Sequence, residues 1–202
     1  MPSIYELKPA FQGRLRPLVG ALARAGVTAN QVTVAAVVLS AAAGAAVALA
    51  PGRREPLLAL PAALLVRMAL NAIDGMLARE HGQASPLGAA LNELGDVASD
   101  ALLYLPLARV VGLEPHLVVA VVAAAALTEL AGVVALTLGA SRRYDGPLGK
   151  SDRAFAFGLL ALLLGLGVEP GGWSTVVLAL LLALSLATVA QRVARGLAEV
   201  ER

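Results

Sequence analysis

The chain has 202 residues, 58% of them hydrophobic, and its mean hydropathy is +0.78. Soluble domains are usually about 45–50% apolar, so this composition indicates an integral membrane protein. The absence of cysteine excludes disulfides and thiolate metal sites. The net charge of +2 and the aromatic content of 3% give no sign of nucleic-acid binding.

The first 24 residues are predicted to form an amphipathic helix. Apolar side chains recur at steps of three and four, which makes one stripe: Ile4, Leu7, Phe11, Leu15, Leu18 and Leu22. Basic residues that suit anionic lipid headgroups accompany them: Lys8, Arg14, Arg16 and Arg24. We expect this helix to lie at the membrane surface. The alternative is a helix packed on the rest of the protein.

Six apolar segments follow, near the roughly 20 residues that a membrane-spanning helix needs. They cover residues 30–50, 56–78, 87–111, 116–140, 153–169 and 173–193. Prolines and glycines separate them, and the short links imply antiparallel neighbours. We therefore predict an all-α membrane protein with six transmembrane helices over 30–193, in a single domain that spans 1–202.

Basic residues predict the orientation, since cytoplasmic loops are enriched in Lys and Arg. With the N-terminus in the cytoplasm, twelve basic residues lie on that side: Lys8, Arg14, Arg16, Arg24, Arg79, Arg142, Arg143, Lys150, Arg153, Arg192, Arg195 and Arg202. The other side has only Arg53 and Arg54. We expect a multi-pass protein of the inner cell membrane with both termini cytoplasmic.

Two of the apolar segments carry polar faces. The second has four residues on one face, at steps of four, three and four: Arg67, Asn71, Asp74 and Ala78. The third has four at steps of four: Gly88, Asn92, Asp96 and Asp100. Ionisable residues inside membrane helices are costly and usually face a cavity or each other. A helix seam sealed by mutual hydrogen bonds is the structural alternative.

The two polar faces are matched in depth. The link between them centres near Gln83; Asp74 lies nine residues before it and Asn92 nine after. Asn71 and Asp96 lie twelve before and thirteen after. In an antiparallel pair with a rise of about 1.5 Å per residue, Asp74 meets Asn92 and Asn71 meets Asp96. These four oxygen-bearing side chains would suit Mg²⁺ or Mn²⁺, at the cytoplasmic end.

These residues resemble the CDP-alcohol phosphotransferase family, whose signature is Asp-x2-Asp-Gly-x2-Ala-Arg-x8-Gly-x3-Asp-x3-Asp. "NAIDGMLAR", eight further residues and "GAALNELGD" reproduce every spacing. Six positions match by identity: Asp74, Gly75, Ala78, Arg79, Gly88 and Asp96. Asn71 and Asn92 replace the first and third aspartates. The helix count and the amphipathic start also resemble the family.

The resemblance implies transfer of a substituted phosphoryl group from a CDP-linked donor to an alcohol, with release of CMP. In most bacterial members the donor is CDP-diacylglycerol, and the enzymes are homodimers of phospholipid synthesis. Asp96 would be the general base. Gly75, Ala78, Arg79, Ser85 and Gly88 would form the nucleotide site, together with Asn30 and Thr33 of "TANQVT".

The two asparagines make the metal site differ from the family pattern. In the family, the first and third aspartates bridge two metal ions. Here the four positions carry a formal charge of −2 instead of −4. Either one ion binds, or Glu93 and Asp100 complete a two-ion site. We expect weak metal binding without nucleotide and tighter binding with it.

Three further charged residues have two interpretations each. Glu129, midway along the fourth segment, could pair with Arg67 or Arg109, or could belong to the site. Lys150 and Arg153, in "GKSDR", could bind the phosphate of the acceptor by resemblance to phosphatidylinositol-phosphate-type enzymes. They could also simply follow the positive-inside rule.

The sequence leaves two rival functions open. One is a non-catalytic family member that binds CDP-lipid or holds a partner enzyme. The other is a small transporter, which would explain buried charges but not the glycine and arginine spacing. The acceptor alcohol also stays open among glycerol phosphate, serine, inositol phosphate and a second lipid.

Overall fold

The computed structural model describes residues 4–201, with side chains from residue 10 onward. This part of the chain forms seven α-helices and one 3₁₀ helix, and contains no β-strand. The helices are α1 Ile4–Arg24, α2 Ala29–Leu49, α3 Glu55–Glu80, α4 Pro86–Tyr104, the 3₁₀ helix Leu105–Arg109, α5 Pro115–Thr137, α6 Lys150–Gly165 and α7 Gly172–Val200. The prediction of an all-α protein is confirmed.

Each of the six apolar segments corresponds to one helix, α2 to α7. Four of these are long and apolar enough to cross a membrane: α2, α3, α5 and α7. α4 has 19 residues and includes three carboxylates, and α6 has only 16 residues. Six spans therefore remain a prediction.

Local capping explains where two helices begin. The Thr28 hydroxyl accepts a hydrogen bond from the Gln31 backbone N–H (3.2 Å), and the Gln31 side chain accepts one from the Thr28 N–H (2.9 Å). This reciprocal pair satisfies two otherwise free donors at the start of α2. At the start of α4, the Ser85 hydroxyl accepts from the Gly88 N–H (3.0 Å).

The helices run antiparallel in sequence, so their ends form two opposite faces. One face, which we call the polar end, is formed by the starts of α2, α4 and α6 and the last turns of α3, α5 and α7. Contacts between distant residues hold it together, such as Arg143 with Glu199 (2.6 Å). At the opposite end, the links at Pro51, Val110 and Pro170 line one shallow cavity.

A hydrophobic core fills the half of the bundle nearer the opposite end. Tyr104 and Phe157 stack there with ring centroids 4.1 Å apart and an interplanar angle of 11°. Leu60 and Leu178 are fully buried beside them. Gly44 of α2 lies so close to the Leu102 carbonyl that a Cβ there would overlap it. The small residue thus permits close packing of α2 on α4.

α1 packs on α3 through part of its apolar stripe. Leu15 and Leu22 are partly buried there, and Val19 between them is 1% exposed against Ile73 and Met76. These three α1 residues follow steps of four and three, so they form one narrow face.

The rest of the stripe does not join this contact. Phe11 and Leu18 are 40% and 48% exposed. The side chains of Ile4, Leu7 and Lys8 lie outside the described residues. Packing on the bundle is therefore established for the second half of α1, and binding to a membrane surface stays a prediction.

Candidate active site

The polar faces of α3 and α4 meet, and the predicted contact between Asn71 and Asp96 is present. The Asn71 side-chain amide donates to Asp96 Oδ1 at 3.0 Å. Both residues are half-buried, and Asn92 lies half-buried one turn before Asp96 on α4. Gly88 and Asp100 extend this face toward the start and the end of the helix.

Asp74 is buried at the junction of α3 with α2. It is 4% exposed, and its Oδ2 accepts a hydrogen bond from the Thr33 hydroxyl at 2.8 Å. The same hydroxyl lies 3.1 Å from the Ala29 carbonyl, one turn earlier in α2. The resemblance assigns Thr33 to the nucleotide site, whereas here it orients a signature carboxylate.

α6 contributes a cation to this centre. The Lys150 ammonium forms an ion pair with Asp96 Oδ1, the oxygen that also accepts from Asn71. The Lys150 side chain is 28% exposed, so it lies at the open edge of the site. Sequence reasoning singled out Lys150 as a phosphate ligand and did not foresee this ion pair.

Two fully buried arginines connect Asp96 to the interior. Arg67 lies 2.9 Å from Asp100 Oδ1 and 3.7 Å from Asp96 Oδ1. Arg153 lies 3.2 Å from Asp100 Oδ2 and 2.8 Å from Glu129 Oε1. Asp100 is thus held between two guanidinium groups, one from α3 and one from α6. Its recruitment as a metal ligand stays a prediction.

Glu129 is ion-paired, as one of its two interpretations expected, but the expected partners were wrong. Its carboxylate lies 3.6 Å from both Arg142 and Arg192, besides its contact with Arg153. Arg67 is instead engaged by the carboxylates of α4, and Arg109 lies in the 3₁₀ helix at the opposite end. Glu129 faces α6 and α7, a long-range arrangement that the period of its own helix does not reveal.

The link between α5 and α6 closes one side of the site. Arg142, in this link, forms an ion pair with Glu93 of α4, and its guanidinium lies 4.3 Å from the Tyr144 ring centroid. Burial works against the charge of Arg142, but Glu93 and Tyr144 together outweigh it and raise the pKa of Arg142 above its usual value. Glu93, a second predicted metal ligand, is therefore engaged by a base in this arrangement.

The residues expected at the nucleotide form two groups, one between α2 and α4 and one on α3. A Cβ on Gly88 would lie 2.8 Å from Asn30 Oδ1 and 3.1 Å from Ser85 Oγ. On α3, a Cβ on Gly75 would lie 2.9 Å from the Arg79 guanidinium, which folds back over it. Both glycines therefore let a polar side chain lie directly against the backbone, and these flexible side chains could move aside for a ligand.

Gln83 is a residue whose role the sequence did not reveal. Its side-chain oxygen accepts from the Ala29 N–H at 2.6 Å, and its amide donates to the Val27 carbonyl at 3.3 Å. The preceding Gly82 has φ +67°, which favours glycine. Gln83 thereby fixes the α3–α4 link to the start of α2, next to Asn30. Its only sequence signal was a polar side chain between two helix breakers.

The predicted metal ligands bring little negative charge, since Asp74 and Asp96 are carboxylates whereas Asn71 and Asn92 have neutral amide oxygens. Among the side chains described, residues 10–201, no group of three or more His, Cys, Asp or Glu is placed to hold a metal. Two divalent ions would bring +4 against these two carboxylates, and such an excess is costly in a partly desolvated pocket.

This fold and this polar centre define an integral membrane protein with a polar site at one end of a helical bundle. The family model for CDP-alcohol phosphatidyltransferase matches residues 26–191. The chain belongs to the CDP-alcohol phosphatidyltransferase family, which confirms the resemblance.

Two relatives agree with this assignment. The chain is 45% identical over 174 residues to the inner membrane protein YnbA of Escherichia coli strain K12, covering 85% of each chain. It is 30% identical over 160 residues to the archaetidylinositol phosphate synthase of Aeropyrum pernix, covering 78% of each chain.

The fold is similar to that of a solved family enzyme, the phosphatidylinositol phosphate synthase of Mycobacterium tuberculosis. With its CDP-DAG complex the TM-score is 0.74 at 21% identity, covering 91% of this chain and 92% of that one. With its complex of manganese and citrate the TM-score is 0.75 at 21% identity, covering 90% and 88%. This likeness extends over nearly the whole of both chains.

Proposed function

We propose that this protein transfers a phosphatidyl group from CDP-diacylglycerol to an acceptor alcohol and releases CMP. One observation carries the proposal. At the polar end, Asp96 contacts both Asn71 and Lys150, while Gly88, two turns earlier on the same helix, lies against Asn30 and Ser85. The complex of the mycobacterial relative with CDP-DAG supports the choice of donor.

The donor would bind through the residues around Gly75 and Gly88. Asn30, Ser85 and the Gly88 backbone would contact the cytidine end, and Arg79 beside Gly75 would contact the pyrophosphate. The phosphoanhydride bond is already activated because CMP is a good leaving group. Catalysis then depends mainly on alignment of the reactants and on neutralisation of phosphate charge.

Asp96 would accept the proton of the acceptor hydroxyl. Asn71 donates to its Oδ1, so Oδ2 is our candidate for the oxygen that accepts the proton. The hydroxyl oxygen attacks the phosphorus that bears the diacylglycerol, and the bond from that phosphorus to the CMP oxygen breaks. The proton passes to Asp96, and CMP leaves with the bonding electron pair. A positioned base of this kind contributes about 10²–10⁴-fold in rate.

One Mg²⁺ or Mn²⁺ ion fits this proposal, held by Asp74 and Asp96 with amide oxygens of Asn71 and Asn92. Such an ion neutralises charge on the transferring phosphoryl group. The solved complex of the mycobacterial relative contains manganese. The number of ions at this centre is part of the proposal.

On the acceptor side, the two basic residues of "GKSDR" would have different roles. Arg153 is 0% exposed and contacts Asp100, Glu129 and Thr128, so we propose that it positions these side chains and does not bind the acceptor. Lys150 is exposed at the edge of the site, so it is our candidate for a phosphate on the acceptor. Glycerol phosphate, inositol phosphate, serine and a second lipid are the acceptors to test.

We further propose a homodimer in the inner membrane with six spans and a cytoplasmic polar end. The relative YnbA of Escherichia coli is named an inner membrane protein, and the basic residues favour this orientation. Since the chain has no cysteine, single cysteines can be introduced and labelled from outside with an impermeant reagent. Labelling at Gly52 but not at Ser141 is expected, and the reverse pattern would invert the orientation.

The test is CMP release by the purified protein in detergent with CDP-diacylglycerol and each acceptor in turn. Lipid mass spectrometry of cells with and without the protein would identify the headgroup. Donor binding without CMP release for any acceptor would favour a non-catalytic family member. This alternative rests on Asn71 and Asn92, which replace two signature aspartates. Solute flux without CMP release would indicate a transporter.

A further inference from the structure

Eight of the ion pairs at the polar end form one connected network. Lys150 contacts Asp96, Arg67 joins Asp96 to Asp100, and Arg153 joins Asp100 to Glu129. Arg142 then joins Glu129 to Glu93, and Arg192 also contacts Glu129. Asp74 lies three residues after Asn71, whose amide donates to Asp96 Oδ1, and we count it with this cluster. The reacting centre is therefore one part of a larger charged cluster.

The cluster is balanced by its own side chains. It contains five carboxylates, Asp74, Glu93, Asp96, Asp100 and Glu129, and five bases, Arg67, Arg142, Lys150, Arg153 and Arg192. The formal charge is zero. Aspartates at 71 and 92 would have made it −2, so the two asparagines produce the balance.

Burial makes this balance consequential. Six of the ten charged residues are less than a tenth exposed: Arg67, Asp74, Asp100, Glu129, Arg153 and Arg192. Charges in such surroundings are weakly screened, so an added divalent ion would leave the cluster with uncompensated positive charge. Lys150 is the most exposed of the five bases, and it carries a compact ammonium on a flexible stem.

We propose that Lys150 is an internal counter-cation that keeps free divalent ions out of the reacting centre. A divalent ion then enters only with the anionic CDP donor, whose pyrophosphate supplies the missing negative charge. The Lys150 ammonium leaves Asp96 at that point and turns toward phosphate oxygens. The inference deepens the proposed function, since it assumes that a CDP-lipid is the donor.

Removal of the Lys150 charge should therefore open the empty site to free metal. Even with the screening of bulk water, an ammonium a few ångströms away weakens the binding of a divalent ion by about tenfold. Lys150→Gln should thus bind Mn²⁺ about tenfold or more tightly than the wild type without nucleotide. Lys150→Arg keeps the charge and should bind Mn²⁺ as weakly as the wild type.

The test is titration of Mn²⁺ into the purified protein in detergent, followed by calorimetry and by the loss of the free-ion electron paramagnetic signal. Each variant is titrated alone and with CDP-diacylglycerol, against blanks of donor and Mn²⁺ without protein. Arg143→Gln is the matched control, because it removes one base from the same end but contacts Asp145 and Glu199 outside the cluster. It should leave Mn²⁺ binding unchanged.

Two results would overturn the inference. One is tight Mn²⁺ binding by the wild type without donor. The other is a folded Lys150→Gln variant whose affinity for Mn²⁺ equals that of the wild type. If that variant does not fold, the wild type still decides, because its Mn²⁺ affinity must rise with donor present. If Mn²⁺ binding depends on the donor but no CMP is released, the proposed catalysis is refuted and the role of Lys150 stands. If CMP is released but Mn²⁺ binds tightly without donor, the role of Lys150 is refuted and the proposed catalysis stands.

Discussion

The two halves of the bundle achieve burial in different ways, and α3 passes through both. Its first half places Leu57, Leu60 and Leu64 in a hydrophobic core. Its second half places Arg67 and Asp74, also less than a tenth exposed, among other charges. In the first half, burial itself is favourable. In the second, each charge is tolerated because a partner compensates it.

This difference separates stability from activity. Substitutions in the hydrophobic half should change the free energy of unfolding and leave the turnover of folded protein unchanged. Substitutions in the polar half should change activity, stability or metal binding according to whether the residue faces the reactants or only holds other charges.

The largest effect is expected for Asp96→Asn. The change is isosteric but removes the proposed base, so CMP release should fall by about 10²–10⁴-fold while the protein stays folded in detergent. Initial rates with saturating CDP-diacylglycerol measure it. Asp145→Asn, in the α5–α6 link, is the control and should keep activity. Turnover at the wild-type rate in Asp96→Asn would remove Asp96 from the mechanism.

Arg153→Leu should give the largest loss of stability. It removes one of the two guanidinium groups that hold Asp100 and one of the three that pair with Glu129. Removal of one partner from a buried ion pair typically costs about 3–5 kcal/mol. Leu160→Ala, in the core part of the same helix, should cost about 2–5 kcal/mol through a cavity. Denaturant unfolding in detergent measures both.

The two variants should differ in the activity of their folded fraction. Leu160→Ala should retain wild-type turnover per folded molecule, whereas Arg153→Leu should lose part of it because Asp100 also positions Arg67 beside Asp96. Equal turnover in both variants would show that the charged network is purely structural.

The local part of the site could be predicted from sequence. The contact of Asn71 with Asp96 follows from helical rise and a short link, since both residues lie on adjacent antiparallel helices. All six segments also matched their helices to within three residues at the start. The third segment, 87–111, extended past the end of α4 at Tyr104 into the 3₁₀ helix, where Pro106 removes a backbone donor.

The distant part could not be predicted. Lys150 lies 54 residues after Asp96. The partners of Glu129 come from α6, from α7 and from the link between α5 and α6. Helical periodicity gives the face of a residue but not the helix that the face meets. The same limit explains Val19, which is more buried than the residues of the α1 stripe around it.

A pair of glycine substitutions tests the two halves with the same added methyl group. Gly44→Ala forces a Cβ onto the Leu102 carbonyl, which is backbone and cannot rotate away, so it should cost about 1–3 kcal/mol of stability. Gly88→Ala meets the Asn30 side chain, which can move, so stability should hardly change.

Gly88→Ala should instead raise the KM for the CDP donor severalfold, because Asn30 is displaced within the proposed nucleotide site. Gly44→Ala should leave that KM unchanged. A raised donor KM in Gly44→Ala, or none in Gly88→Ala, would contradict the placement of the nucleotide at the polar end.

The double variant Asn71→Asp with Asn92→Asp tests the charge balance directly. It makes the cluster −2, so binding of free Mn²⁺ should strengthen by about tenfold or more. Calorimetric titration measures it, with the single variants as intermediates. CMP release need not rise, because added charge can misplace the acceptor. Two tight sites in the wild type, unaffected by Glu93→Gln and Asp100→Asn, would show that the asparagines suffice and that the charge argument is wrong.

The smallest effect is expected where an ion pair is exposed. Arg16 of α1 lies 3.3 Å from Glu80 at the end of α3, and both side chains are open to solvent. The hydrogen bond from Arg16 to Glu80 raises the pKa of Arg16 above its usual value.

A base whose pKa is raised by folding contributes stability at pH values below its pKa in the unfolded state. It loses that contribution only as the pH rises above its pKa in the folded state. Both lie far above neutrality, so Arg16 adds no pH dependence between about pH 6 and 9. Because exposed pairs contribute little, Arg16→Ala should leave the unfolding temperature unchanged across that range. A clear drop in Arg16→Ala would show that this pair anchors α1, and the contrast between exposed and buried charges would then fail at the polar end.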